Sequence, residues 1–247
     1  MSFFDILLLF SAGFLSSVVN AIAGGGTFLT FGAMTLTGVP AIMANATSSV
    51  TQFPGYVTSA LAYRTEIREA GREAWILAGL SLVGSLGGAL ILVSLSNPSF
   101  RSLVPWLLLA ATIIFAIGPY LRPKKLHAEQ PISRFGLVGQ FLTSIYGGFF
   151  GAGMGIMMLA VLGIAKGGDY HKLNALKNFV AVIIAAVAII VFSTGGVVAW
   201  LPAVIMIPAG ALGGYAGVWA ARRVPQTMIR VIVVSVGLLL TWYYFAT

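Results

Sequence analysis

The chain has 247 residues, of which 59% are hydrophobic and 8% charged, with a mean hydropathy of +0.98. This excludes a soluble globular domain and describes an integral membrane bundle, because stretches long enough to cross a hydrocarbon core of about 30 Å recur along its whole length. The formal net charge of +8 lies in short connections between apolar runs, which points to membrane topology and away from nucleic acid, and the absence of cysteine excludes disulfides, thiolate metal sites and a cysteine nucleophile.

Hydrophobic patterning predicts, in chain order, an apolar helix over 3–22, a short arm over 27–38, and helices over 42–62, 74–95 and 102–121. The first segment resembles the apolar stretch of a signal peptide and carries Ala21-Ile22-Ala23, but Asp5 stands where a basic lead would be, so it is read as retained. Arg64 to Glu73, with alternating charge signs, reads as a solvated loop, and Pro54-Gly55 as a kink. A second set follows over 135–150, a short arm over 156–165, and 173–194, 198–220 and 227–245. The chain thus divides into a first membrane repeat (1–121), a basic cytoplasmic linker (122–134) and a second membrane repeat (135–247).

The two sets share their order and their landmarks. Gly24 and Gly26 align with Gly153 and Gly155, and Asn45-Ala46 with Asn174-Ala175, without a gap between them; with a small slip, Gly84 to Gly88 align with Gly210 to Gly214. Three coincidences in one order indicate an internal duplication.

As one straight helix, residues 3–38 would be about 54 Å long, more than the membrane is thick. A return of the short arm to its side of entry makes each half a re-entrant hairpin plus three spanning helices, an odd number that inverts the second half. Under that scheme one face receives Arg64, Arg68, Arg72, Arg122, Lys124, Lys125, Arg134, Lys166, Lys172, Lys177, Arg222, Arg223 and Arg230, and only Arg101 falls opposite. Eight simple crossings would split these charges between the faces, against the positive-inside rule. The fold class expected is therefore an all-α membrane protein of two inverted repeats, each a glycine-broken re-entrant helical hairpin plus three transmembrane helices, with both termini outside.

The glycine clusters, Gly24-Gly25-Gly26 and Gly151 with Gly153 and Gly155, mark the site. Hydrocarbon cannot satisfy exposed backbone groups, so such breaks persist only where they line a cavity. Each short arm starts just after its glycines, so two half-helix N-termini would meet near the midplane with free N–H groups and positive dipole ends, which favours an anion. Asn45, Ser48, Ser49 and Gln52 share one helix face, Asn174, Lys177 and Asn178 share the corresponding one, and Asn20 and Thr27 complete the first half; Gln140 and Tyr146 are weaker candidates.

Other roles remain open for some of these residues. Gly84, Gly87, Gly88, Gly210, Gly213 and Gly214 lie within full spans and read as packing positions, Asn45, Ser48 and Ser49 could bond between helices, and Lys177 could snorkel to the surface from its first helical turn. His127 and His171 are isolated loop histidines without metal-ligand spacing. No cofactor and no metal is called for, and the missing histidines and paired carboxylates within spans argue against a membrane-embedded enzyme.

Asn20-x-x-Ala23-Gly24-Gly25-Gly26, Ala44-Asn45-Ala46-Thr47-Ser48-Ser49 and Gly147-Gly148-Phe149-Phe150-Gly151-Ala152-Gly153-Met154-Gly155 together resemble the TauE/SafE group of sulfite exporters and sulfonate permeases. The resemblance covers nearly the whole chain and is specific for the family rather than the substrate. It implies secondary transport, in a bacterial inner membrane, of a small sulfur-containing anion such as sulfite, thiosulfate or an organosulfonate. The chain departs from the family pattern where a proline commonly follows each glycine cluster, since Phe31-Gly32 and Met158-Leu159 stand there. The partners implied are the bilayer and a small anionic substrate, with a homodimer left open. Alternating access at a midplane site is the mechanism expected, and an anion channel is the alternative.

Overall fold

The protein is described by a computed structural model covering residues 1–22, 24–121, 130–220, 223 and 226–246. Ala23, Arg122, Lys124, Lys125, His127 and Arg222 lie outside the described residues. All regular structure among the described residues is helical: α1 (Phe3–Ile22), α2 (Thr27–Leu36), α3 (Ala41–Ala62), α4 (Arg64–Ser94), α5 (Asn97–Leu121), α6 (Arg134–Phe149), α7 (Met154–Ala165), α8 (Tyr170–Thr194), α9 (Trp200–Ala220) and α10 (Gln226–Ala246).

Five of these, α1, α4, α5, α8 and α9, contain stretches long and apolar enough to cross a membrane. With 10 and 12 residues, α2 and α7 reach only about 15 and 18 Å. The 22-residue α3 is long enough, but Asn45, Thr47, Ser48, Thr51 and Gln52 lower its hydropathy; all five are buried against protein. It runs as one continuous helix through Pro54.

Residues 64–73 are not the expected loop. Arg64 to Ala70 is helical and Gly71, at φ +53°, turns the chain into the long apolar run of α4. Tertiary contacts hold this segment: Glu73 accepts from Ile132 N–H at 2.6 Å and from Lys166 Nζ at 2.5 Å, and Glu69 pairs with Lys172 at 3.2 Å. The Glu73–Lys166 pair is largely buried, so Lys166→Met leaves a carboxylate without its counter-ion. That change is expected to cost about 2–3 kcal/mol and to lower the melting temperature more than the paired replacement Glu73→Leu/Lys166→Met, read by thermal unfolding in detergent.

Contacts along the helices fix their relative directions. Gly13 lies against Met206 and Gly217 against Val18, so α1 and α9 are parallel; Thr58 bonds Ala211 and Ser59 bonds Gly214, so α3 runs with them. Ser81 bonds Gln140 while Gly88 lies against Ile145 and Phe149, and Trp75 meets Phe179 while Val93 approaches Gly195, so α4, α6 and α8 are mutually parallel. Tyr63 at the end of α3 stacks near His171 at the start of α8, and Thr47 near the start of α3 accepts from Ala199 beyond the end of α8, so α3 and α8 are antiparallel. Packing is also reciprocal between the halves: α1 on α9 matches α6 on α4, α3 on α9 matches α8 on α4, and α2 on α10 matches α7 on α5.

Small residues permit these approaches. A Cβ at Gly84, Gly88, Gly210, Gly213 or Gly214 would strike backbone or side chain of a neighbouring helix, whereas Gly87 faces open space and is not a packing position. The five tryptophans, Trp75, Trp106, Trp200, Trp219 and Trp242, are all exposed, as side chains anchoring a bundle at membrane interfaces are.

Candidate functional site

The two glycine breaks touch. A Cβ added to Gly24 would come within 2.5 Å of Gly155 Cα, and one added to Gly155 within 2.7 Å of Gly24 Cα, so the backbones of the two halves meet where only glycine fits. Between the two halves lies a small cavity of about 20 Å³, lined by Thr27, Ser49, Gln52 and Tyr56 from the first half and Gly147, Gly151, Met154, Ile184, Ala185 and Ala188 from the second. Such a space holds about one water. Its polar side chains come from the first half, and the second half contributes glycine backbone and apolar side chains.

Thr27, Ser49, Gln52 and Gly151, four of the residues expected from sequence, line this cavity directly. Asn20 stands behind them: its Nδ2 donates to Gln52 Oε1 at 2.7 Å and to Tyr56 Oη at 3.2 Å. Gln52 also bonds Ser17 and, through Nε2, Ser16. Tyr56 and Met154 were missed from sequence. Tyr56 lies one turn beyond Gln52 on the polar face, a spacing that could have found it, whereas nothing local distinguishes Met154.

The half-helix N-termini differ from expectation. Asn20 Oδ1 accepts from both Gly25 N–H and Gly26 N–H at 2.8 Å, so these amides are satisfied internally instead of standing free for an anion. In the second break Met154 N–H turns back to Gly151 O, and Ile156 N–H to Gly153 O. The asparagine side chain closes the first break in the way an anion would.

Asn45 and Asn174 are also reassigned. Asn45 Nδ2 donates to Phe149 O at the end of α6, and Asn174 Nδ2 to Ala21 O near the end of α1. Each half of the chain thereby bonds a carbonyl near the end of a helix in the other half, a group that hydrocarbon cannot satisfy. Asn45→Ala and Asn174→Ala are each expected to cost about 1–3 kcal/mol, measured as a lowered melting temperature, because a buried carbonyl loses its donor.

Lys177 does not snorkel: it is 1% exposed, its Nζ donates to Asn20 O at 2.6 Å, and its aliphatic stem passes beside Gly155. Next to it Asn178 is buried, with neither of its polar side-chain atoms hydrogen-bonded, and Ser48 Oγ, Asn45 Oδ1 and Asn174 Oδ1 are in the same condition. Gly153, at φ +77°, begins α7 with Ala111 as its nearest neighbour. Gln140 lies apart, bonded to Ser81 and Ser144 between α4 and α6, and Tyr146 donates to Ala152 O across the second break. No cluster of three metal-ligating side chains occurs among the described residues.

A helical membrane bundle whose two halves meet at broken helices around a buried polar junction is the architecture of a transporter. The chain belongs to the sulfite exporter TauE/SafE family, whose family model matches residues 9–244. It is similar to a probable membrane transporter protein of Haemophilus influenzae, 27% identical with 98% of each chain covered. A probable membrane transporter protein of a Sinorhizobium species is 26% identical over 97% of this chain and 92% of its own length. The Escherichia coli probable membrane transporter protein YfcA is 25% identical over 93% of this chain and 86% of its own. The protein is thus a multi-pass membrane transporter and not an enzyme.

Proposed function

We propose that this transporter carries a small sulfur-containing anion, such as sulfite, thiosulfate or an organosulfonate, by alternating access between two inverted repeats in a bacterial inner membrane. The observation that carries this reading is the burial of Lys177 beside the touching glycine breaks, since an ammonium held among helix ends and unpartnered amides is chemically matched to an anion. The opposed directions of α3 and α8 and the reciprocal packing of the halves support the inverted relation. The proximity of Glu69 and Glu73 to Lys172 and Lys166 supports a single basic face, cytoplasmic by the positive-inside rule, with both termini opposite.

A cavity of about 20 Å³ is smaller than any of these anions, so the site must widen around Tyr56 and Met154 to load. Asn20 releases the Gly25 and Gly26 amides in that opening, and an anion oxygen takes its place. Residues Asn20, Gly24, Gly25, Gly26, Thr27, Ser48, Ser49, Gln52, Gly151, Gly153, Gly155, Lys177 and Asn178 form the substrate region, with Asn45 and Asn174 holding its walls.

Proteoliposome flux of labelled sulfite, thiosulfate, sulfoacetate and taurine, paired with a thermal-shift screen of the same compounds, tests this. Saturable uptake of at least one sulfur anion, and a raised melting temperature with it, are expected. Transport and stabilisation restricted to carboxylates or cations would overturn the substrate class. Unitary currents in planar bilayers would overturn alternating access.

A further inference from the structure

Two of the basic residues, Arg64 and Arg223, line a groove at one end of the bundle. Arg64 at the start of α4 and Arg223 beyond α9 both line this open groove of about 820 Å³, with Thr58, Leu61, Ala62, Tyr215, Val218 and Trp219 completing the walls. No carboxylate is among these lining residues. The Arg223 guanidinium lies over the Trp219 ring at 4.0 Å and donates from Nη1 to Trp219 O at 3.4 Å, which holds its planar fork in place before any ligand arrives.

The groove continues into an apolar track. Leu212, Tyr215 and Trp219 stand at i, i+3 and i+7 of α9, are all more than half exposed, and run from the arginines toward the bundle's middle; Leu61 is exposed beside them. The groove lies at the end where Tyr63 meets His171, and its place in the cytoplasmic leaflet rests on the orientation proposed above. A paired cationic head site above an exposed apolar stripe, at the depth of an interfacial tryptophan, is complementary to a lipid with a negative headgroup.

We propose that the Arg64/Arg223 groove binds an anionic phospholipid of the cytoplasmic leaflet, with its phosphate between the two guanidinium groups and an acyl chain along Leu212, Tyr215 and Trp219. A free inorganic anion would use the arginines but not the apolar stripe, and a zwitterionic lipid would use the stripe while its own cation opposes the arginines. The three ligands are therefore separable.

Native mass spectrometry of the delipidated full chain, titrated with phosphatidylglycerol, phosphatidylcholine or inorganic phosphate, tests the site. Phosphatidylglycerol adducts are expected to survive activation that removes phosphatidylcholine and phosphate. Arg64→Gln and Arg223→Gln should each weaken phosphatidylglycerol binding about fivefold, and together about 25-fold, as the loss of one and two surface cations predicts. Arg101→Gln, at the opposite end and stacked on Tyr244, should leave it unchanged. Should the double variant fail to fold, the two single variants carry the test. Retention of phosphatidylglycerol by these variants, equal binding of phosphatidylcholine or phosphate, or a change of oligomeric state instead of lipid content would each overturn the proposal.

Discussion

Lys177→Met is expected to insert and fold normally while losing anion transport, with apparent substrate affinity falling roughly tenfold to a hundredfold, the worth of a hydrogen bond to a charged group. The lysine is 1% exposed and donates to Asn20 O, so its ammonium has been taken from water into the centre of the bundle. Desolvating a charge is costly, so removing the ammonium relieves one penalty, but it also leaves the buried Asn20 carbonyl without that donor. The two effects on the fold oppose one another, so the melting temperature is expected to move little as flux falls. Lys177→Arg keeps the charge but places a broader planar group beside Gly155, and an intermediate flux is expected. Unchanged transport by Lys177→Met in proteoliposomes would make the lysine a structural tie to Asn20 and remove the main support for an anionic substrate.

Gly24→Ala is expected to be among the most damaging small substitutions in the chain. Gly24 adopts φ +75° and a new Cβ would press on the Gly155 backbone, which cannot rotate away as a side chain can. Left-handed strain of about 1–2 kcal/mol and overpacking of about 1–3 kcal/mol add to roughly 2–5 kcal/mol, seen as a large drop in melting temperature or in folded yield. Gly153→Ala is the informative comparison, because φ is nearly the same, at +77°, but the nearest atom to a new Cβ is 3.5 Å away. It should show only the strain, about 1–2 kcal/mol. Equal effects at the two positions would mean that the turn geometry, and not contact between the halves, is what glycine serves at position 24.

The second glycine cluster, interrupted by Ala152 and Met154, is looser than the first, and the surroundings of the two breaks differ. Ser49 and Gln52 line the cavity, whereas Asn178 and Ala181, the residues aligned with them in the second half, do not. Asn20 reaches the Gly25 and Gly26 amides, whereas its counterpart in the second half is Phe149, which contributes a backbone carbonyl to Asn45. Helical spacing places polar residues on one face without stating what that face meets. Asn45 and Ser49 are one turn apart on α3, yet one bonds the other repeat and one borders the cavity.

By itself the sequence determined the class of molecule and the positions of most helices, because these depend on composition and on periodicity within a single segment, and the family, because its motifs are short local runs. It also located the two breaks, since consecutive glycines disrupt a helix wherever it lies. Only the tertiary structure decided that the breaks touch, that Asn20 already occupies the amides at the first one, that Lys177 turns inward, and that Arg64 to Ala70 is helical under the ties of Glu69 and Glu73. These are contacts between residues far apart in the chain. Their energies come from which partner arrives to satisfy a buried polar group, and no local pattern records that partner.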